Sequence, residues 1–134
     1  MNGSTVPNVW APRILSVVRI ITAFMLMQHG AQKLFGFPPS AHPMPHPLPP
    51  LMLVAGILEF FGGLLVLLGL FTRSAAFVLA GEMAVAFFMA HLPRGFWTVN
   101  NMGEPAVLNC FIFLYLAAAG GGIWSIDHLR RRDG

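Results

Sequence analysis

LMLVAGILEFFGGLLVLLGLF, residues 51–71, decides the fold of this chain, because the stretch is apolar throughout except for the carboxylate of Glu59. An α-helix rises about 1.5 Å per residue, so about 20 apolar residues cross the roughly 30 Å hydrocarbon core of a bilayer. An ionisable side chain inside such a helix is costly and normally has a partner. The stretch therefore predicts a membrane-spanning helix, with a partner for Glu59 on a neighbouring helix.

The composition of the whole chain agrees with a membrane protein. Of its 134 residues, 56% are hydrophobic and only 10% are charged, whereas soluble domains carry about 25% charged residues. Four spans with short loops fit this length, so the predicted fold is all-α, an integral membrane antiparallel four-helix bundle. The single cysteine, Cys110, excludes an intrachain disulfide and a C-x-x-C redox pair. The basic run at residues 130–132 is too short to suggest a nucleic-acid partner.

The chain divides into three parts. We expect a flexible lead at residues 1–12, a four-span domain at 13–128 and a basic cytoplasmic tail at 129–134. Within the domain, spans are predicted at about residues 13–35, 51–71, 74–92 and 104–126. Small residues of the second span, Gly56, Gly62 and Gly63, predict close packing against a neighbouring helix.

The distribution of basic residues predicts the orientation. With four spans, Arg13, Arg73 and residues 130–132 fall on one side of the membrane, against Arg94 on the other. Basic loops remain in the cytoplasm, so both termini are predicted to be cytoplasmic.

The loop after the first span contains seven prolines between residues 38 and 50, so it is predicted to be extended. In a polyproline conformation the backbones of His42 and His46 lie about 12 Å apart, too far for easy chelation. No metal site is therefore predicted.

Three ionisable residues, Arg19, Glu59 and Glu82, lie inside predicted spans. At 1.5 Å per residue, their depths from the cytoplasmic side are about 9, 18 and 12 Å, respectively. We therefore expect Arg19 to pair with Glu82 or, at a longer reach, with Glu59. Either the three residues form a structural ion network, or one carboxylate stays partly unpaired and exchanges protons. In the second case they are the candidate catalytic residues.

A second polar group is predicted towards the outer side: Gln28, His29, Lys33, His91, Glu104 and Asn109. Such side chains could bind a quinone headgroup and pass protons. Histidines at one depth on two helices, such as His29 and His91, could instead ligate a b-type haem. Snorkelling to the interface and helix capping would also explain polar residues here.

Five segments in this order resemble the DoxX family of small membrane proteins. They are HGAQKLFGF (29–37), LEFFGGLLVLLGLFTRSAA (58–76), GEMAVAFFMAHLPRGFW (81–97), NMGEPAVLN (101–109) and GGGIWSIDHL (120–129). The resemblance also includes Arg19 and covers about residues 13–128.

The resemblance implies a four-helix inner-membrane protein associated with redox metabolism, since similar proteins include subunits of a thiosulfate:quinone oxidoreductase. The leading hypothesis is a membrane subunit of an oxidoreductase complex that binds quinone between its helices. Its partners would be the lipid bilayer and a membrane redox complex or further copies of the chain. The alternative is a non-catalytic scaffold that docks a larger membrane complex. Thiosulfate chemistry is not carried over, because the chain has no cysteine pair to handle sulfur.

Overall fold

A computed structural model describes residues 7–134, and this part of the chain contains helices and loops but no strand. The helices are α1 (Ala11–Phe35), α2 (Pro50–Leu68), α3 (Thr72–Arg94), α4 (Thr98–Asn101), α5 (Glu104–Ala119) and α6 (Ile126–Arg132). The all-α prediction is confirmed for these residues. Residues 1–6 of the expected lead lie outside the described residues. Residues 7–10 precede α1, and Ala11 and Pro12 already belong to it.

Three helices, α1, α2 and α3, are each long and apolar enough to cross a membrane. The next helix, α5, has 16 residues and is shorter than expected. It ends at Ala119 rather than near Ile126, because Gly120 adopts a backbone conformation with φ 83° that favours glycine. Residues 120–125, which follow α5, are not helical.

Two of the long helices contain a π-helical turn. In α2 the turn covers Leu58–Gly62 and includes Glu59, and in α3 it covers Phe87–His91. A π turn holds more residues than an α turn, so side chains beyond it are rotated relative to a regular helical wheel. Such turns are frequent at functional sites, and each of these two carries a residue that the sequence singles out.

The core lies where α1 packs against α2 and α3 packs along α5. Its fully buried apolar side chains are Ala23, Leu26, Val66, Ala76, Leu79, Phe113 and Leu116. Large apolar side chains on every long helix, such as Phe24, Phe77 and Phe111, point outward and are exposed. So much exposed apolar surface is unusual for a soluble monomer and is typical of a protein solvated by lipid.

The backbones of α1 and α2 approach closely at Gly30. A Cβ atom at this position would lie 2.5 Å from the backbone nitrogen of Phe60 and 3.0 Å from the carbonyl oxygen of Gly56. On α2, a Cβ atom at Gly63 would lie 2.7 Å from the Cγ atom of Met27 on α1. Glycines on both helices therefore bring α2 against α1, next to the turn that carries Glu59.

Candidate functional site

Arg19 is buried near the start of α1 and is bonded to backbone carbonyls. Its guanidinium donates hydrogen bonds to the carbonyl oxygens of Gly121, Trp124 (2.6 Å) and Leu67 (3.4 Å). The expected pairing of Arg19 with Glu82 or Glu59 is therefore wrong. The physical reason is that residues 120–125 are not helical, so the free carbonyl oxygens of Gly121 and Trp124 accept hydrogen bonds from the terminal nitrogen atoms of the guanidinium in place of a carboxylate.

The segment after α5 is tied to α1 and to the start of α3. The backbone N–H of Trp124 donates to Ser16 Oγ on α1 at 3.1 Å. The carboxylate of Asp127 accepts hydrogen bonds from the backbone N–H groups of Phe71 and Thr72, both at 2.9 Å. Partial burial opposes the charge of Asp127, but the hydrogen bonds from Thr72 and Phe71 outweigh it and lower the pKa of this carboxyl. Residues 124–127 therefore hold the C-terminal part of the chain against α1 and against the start of α3.

The partner of Glu59 is Lys33. Lys33 Nζ lies 2.6 Å from Glu59 Oε2, and the side chains are only 15% and 5% exposed, respectively. Side chains of a helix point towards its N-terminus. Because Lys33 lies near the C-terminus of α1, this direction leads its ammonium group back towards the middle of the helix and to Glu59 on α2.

Glu82, which is half-buried on α3, completes a charge cluster with Lys33 and Glu59. We define these three residues as the buried charge cluster, because Glu59 at its centre is buried. The Glu82 carboxyl faces Glu59 and Lys33, and among the described residues its Oε2 atom is buried without a hydrogen-bond partner. One ammonium group faces two carboxyl groups, so the cluster is either negatively charged or holds a proton. This arrangement joins α1, α2 and α3 and can exchange a proton. Arg19, the third predicted catalytic candidate, bonds elsewhere.

A cavity of about 400 Å³ opens between α1 and α5. We refer to it as the α1–α5 cavity. Three of its lining residues are polar candidates from the sequence, namely His29, Glu104 and Asn109, and the remainder of the wall is largely apolar. Concave sites of this size with a few convergent polar groups are typical of small-molecule binding.

The other three residues predicted for the pocket lie elsewhere. Gln28 is exposed and does not line the α1–α5 cavity, and Lys33 belongs to the buried charge cluster. His91 Nδ1 lies 3.1 Å from the carbonyl oxygen of Asn101. His29 and His91, the two possible haem ligands, are therefore in different surroundings. In residues 7–134, no group of three or more histidine, cysteine, aspartate or glutamate side chains could hold a metal ion.

Comparison with known proteins identifies the family. A family model described as DoxX matches residues 14–92, more than half of the chain. The chain belongs to the DoxX family. An uncharacterized protein of Haemophilus influenzae is 40% identical over 123 residues, which cover 89% of this chain and 92% of that protein. No solved structure matches this DoxX chain.

The part that matches the DoxX model runs from α1 to α3. It contains the whole buried charge cluster and one wall of the α1–α5 cavity, including His29. Glu104 and Asn109, on the opposite wall, lie beyond the matched residues. The DoxX match therefore includes the whole buried charge cluster and one of the two walls of the α1–α5 cavity.

Proposed function

We propose that this DoxX protein is a four-span protein of the inner membrane, with both termini in the cytoplasm. The lengths of α1, α2 and α3 and the exposed apolar surface support this location. A helix of 16 residues extends about 24 Å, less than the hydrocarbon thickness. Residues 120–125 would complete the fourth crossing, since non-helical backbone is tolerated at membrane depth where it is buried in protein.

We further propose that the chain is a membrane subunit of a quinone-linked oxidoreductase and that the α1–α5 cavity binds the quinone headgroup. One observation carries this proposal. His29, Glu104 and Asn109 are singled out from the sequence as part of a quinone pocket, and they line a single cavity although His29 and Glu104 are 75 residues apart in the chain.

The side chains of this cavity suit a ring with two carbonyl oxygens. His29 and Asn109 each carry N–H groups that can donate a hydrogen bond to such an oxygen, and Glu104 can accept a proton. Apolar neighbours, including Met25 and Leu108, would pack on the ring. The two-electron chemistry would come from the quinone itself, while these residues bind it, orient it and exchange protons.

The proposal is tested by purifying the protein in mild detergent and measuring the quinone that solvent extracts from it. We expect His29→Ala and Asn109→Leu to lose most of the bound quinone. Gln28→Ala is the matched control, because Gln28 neighbours His29 but lies outside the cavity lining, and it should retain quinone. Equal occupancy in all three variants would exclude this cavity as the site. A quinone-free protein that purifies with a fixed membrane partner would instead support the scaffold alternative.

A further inference from the structure

A strongly basic pocket of about 410 Å³ lies where α3 begins and α6 packs against it. Its charged lining residues are Arg73, Arg130, Arg131 and Asp127, so three positive charges face one negative charge. The Asp127 carboxylate is already bonded to two backbone N–H groups of the α2–α3 turn. The pocket, which we call the basic pocket, therefore has spare positive charge.

The arginines of the basic pocket are available to a ligand. Within the described part of the chain, none of the three makes a salt bridge, since the ion pair found there joins Lys33 and Glu59. The guanidinium of Arg130 lies 5.3 Å from the centre of the Phe71 ring. This contact places a cation beside an exposed aromatic side chain, at the boundary between the basic pocket and apolar surface.

An apolar crevice leads away from the basic pocket between α2 and α3. Its first part has a volume of about 320 Å³ and shares Phe71 and Ser74 with the basic pocket. Its second part, also about 320 Å³, shares Leu58 and Val78 with the first and continues to Met89. From Ser74 to Met89 the crevice follows about 22 Å of helix. Its walls are apolar apart from Ser74, at the basic end, and the carboxyl of Glu82 further along.

We propose that the basic pocket and the apolar crevice together bind one anionic phospholipid. The phosphate would lie against Arg73, Arg130 and Arg131, and one acyl chain would extend along the crevice. Charge complementarity identifies the head, and the continuity of an apolar crevice with the basic pocket identifies the tail. Basic pockets at the cytoplasmic ends of membrane helices are suited to such headgroups. This inference rests on the membrane location proposed above, but not on quinone binding.

The test uses the full chain in neutral detergent, titrated with phosphatidylglycerol or phosphatidylcholine, with bound lipid counted by native mass spectrometry. We expect phosphatidylglycerol to bind more tightly. A basic residue near an anionic lipid contributes about 1 kcal/mol, so Arg73→Ala and Arg130→Ala should each weaken binding about fivefold. Arg132→Ala is the matched control, because Arg132 is on the same helix as Arg130 but does not line the pocket. It should bind as the wild type does.

A second variant tests the tail. Val78→Trp places a large side chain in the crevice, on an exposed position of α3 where folding tolerates it. It should abolish selective binding of phosphatidylglycerol. Equal affinity for both lipids, equal weakening by Arg132→Ala, or full binding by Val78→Trp would each overturn the proposal. A protein that does not fractionate with membranes would contradict the proposed membrane location. A protein that does fractionate with membranes but binds both lipids equally would contradict only the proposed phospholipid site.

Discussion

Lys33 and Glu59 connect two helices through one ion pair in apolar surroundings. Removing one member of such a pair leaves the other charge buried and uncompensated, which costs about 3–5 kcal/mol. Lys33→Met should therefore lower the free energy of unfolding by about this amount. The double variant Lys33→Met/Glu59→Leu removes both charges of the pair and, with Glu82 unchanged in both variants, should recover the part of the loss that comes from the unpaired Glu59.

Denaturant unfolding of the two variants in detergent measures this difference. Gln32→Met serves as the control, because it changes the neighbouring polar side chain and leaves the ion pair intact. If the double variant is as unstable as Lys33→Met, the loss comes from packing rather than from an unpaired charge.

The sequence identified the buried charges but not their partners. Counting depth from Cα positions places Lys33 towards the outer side and Arg19 close to the carboxylates. Two effects overturned this picture. The lysine side chain extends back towards the middle of its helix, and the arginine is bonded to backbone carbonyls of residues 121 and 124. Backbone acceptors are present in every loop, so residue types alone could not indicate which loop would supply them.

Asp127 gives the molecule a pH-dependent contact. Its pKa is lower in the folded protein, so its contribution to stability is present above the ordinary aspartate pKa of about 4 and is lost as the pH falls below it. At neutral pH, Asp127→Ala should cost about 1 kcal/mol, as for the loss of a helix cap. Scanning calorimetry of the wild type and this variant should show their melting temperatures converging below about pH 4.

Asp133→Asn is the control for the pH experiment, because it removes a carboxylate just beyond α6 and leaves the bonds to Phe71 and Thr72 in place. The contrary result is a melting temperature of Asp127→Ala that stays below that of the wild type by the same margin at every pH. This result would show that the stabilisation by Asp127 does not depend on the charge of its carboxylate.

At the scale of the elements, the contact between α1 and α2 depends on a glycine. Gly30→Ala would place a methyl group 2.5 Å from the backbone of Phe60, so the helices must separate. Gly81→Ala provides the matched control, because, apart from its chain neighbours and the backbone of its own helix, no atom of residues 7–134 lies within 4 Å of a Cβ atom at that position on α3. We expect Gly30→Ala to lose folded protein on heating at lower temperature than the wild type, and Gly81→Ala to match it. Equal melting of the two variants would contradict this close approach.

The hydropathy of the sequence predicts the long helices, and α1, α2 and α3 lie close to their predicted positions. Side-chain direction was harder to predict, because the π turns at Leu58–Gly62 and Phe87–His91 change the angle between residues. A helical wheel assumes 100° per residue throughout. Candidates on either side of a π turn therefore cannot be assigned to one face from spacing alone. Of the three predicted residues that do not line the α1–α5 cavity, only His91 lies in such a turn, whereas Gln28 and Lys33 lie on the regular helix α1.

At the scale of the whole molecule, the proposed topology can be tested with single cysteines. In a Cys110→Ala background, Ser40→Cys lies in the proline-rich loop and Asp133→Cys lies after α6. A membrane-impermeant maleimide should label the first in intact spheroplasts and the second only after the membrane is opened. Labelling of both positions from outside would mean that α5 does not cross, leaving three spans.

The hydrogen bonds of Arg19 also have a consequence for the synthesis of the chain, because their acceptors are made at different times. The guanidinium is inside the protein, yet its acceptor at Gly121 is made 102 residues later. During translation the guanidinium therefore lacks two of its three carbonyl acceptors, those of Gly121 and Trp124, until almost the entire chain has emerged. We expect a ribosome stalled before residue 121 to present a helix that stays with the insertion machinery. Completion of the C-terminus would then be the step that releases the protein as a finished unit.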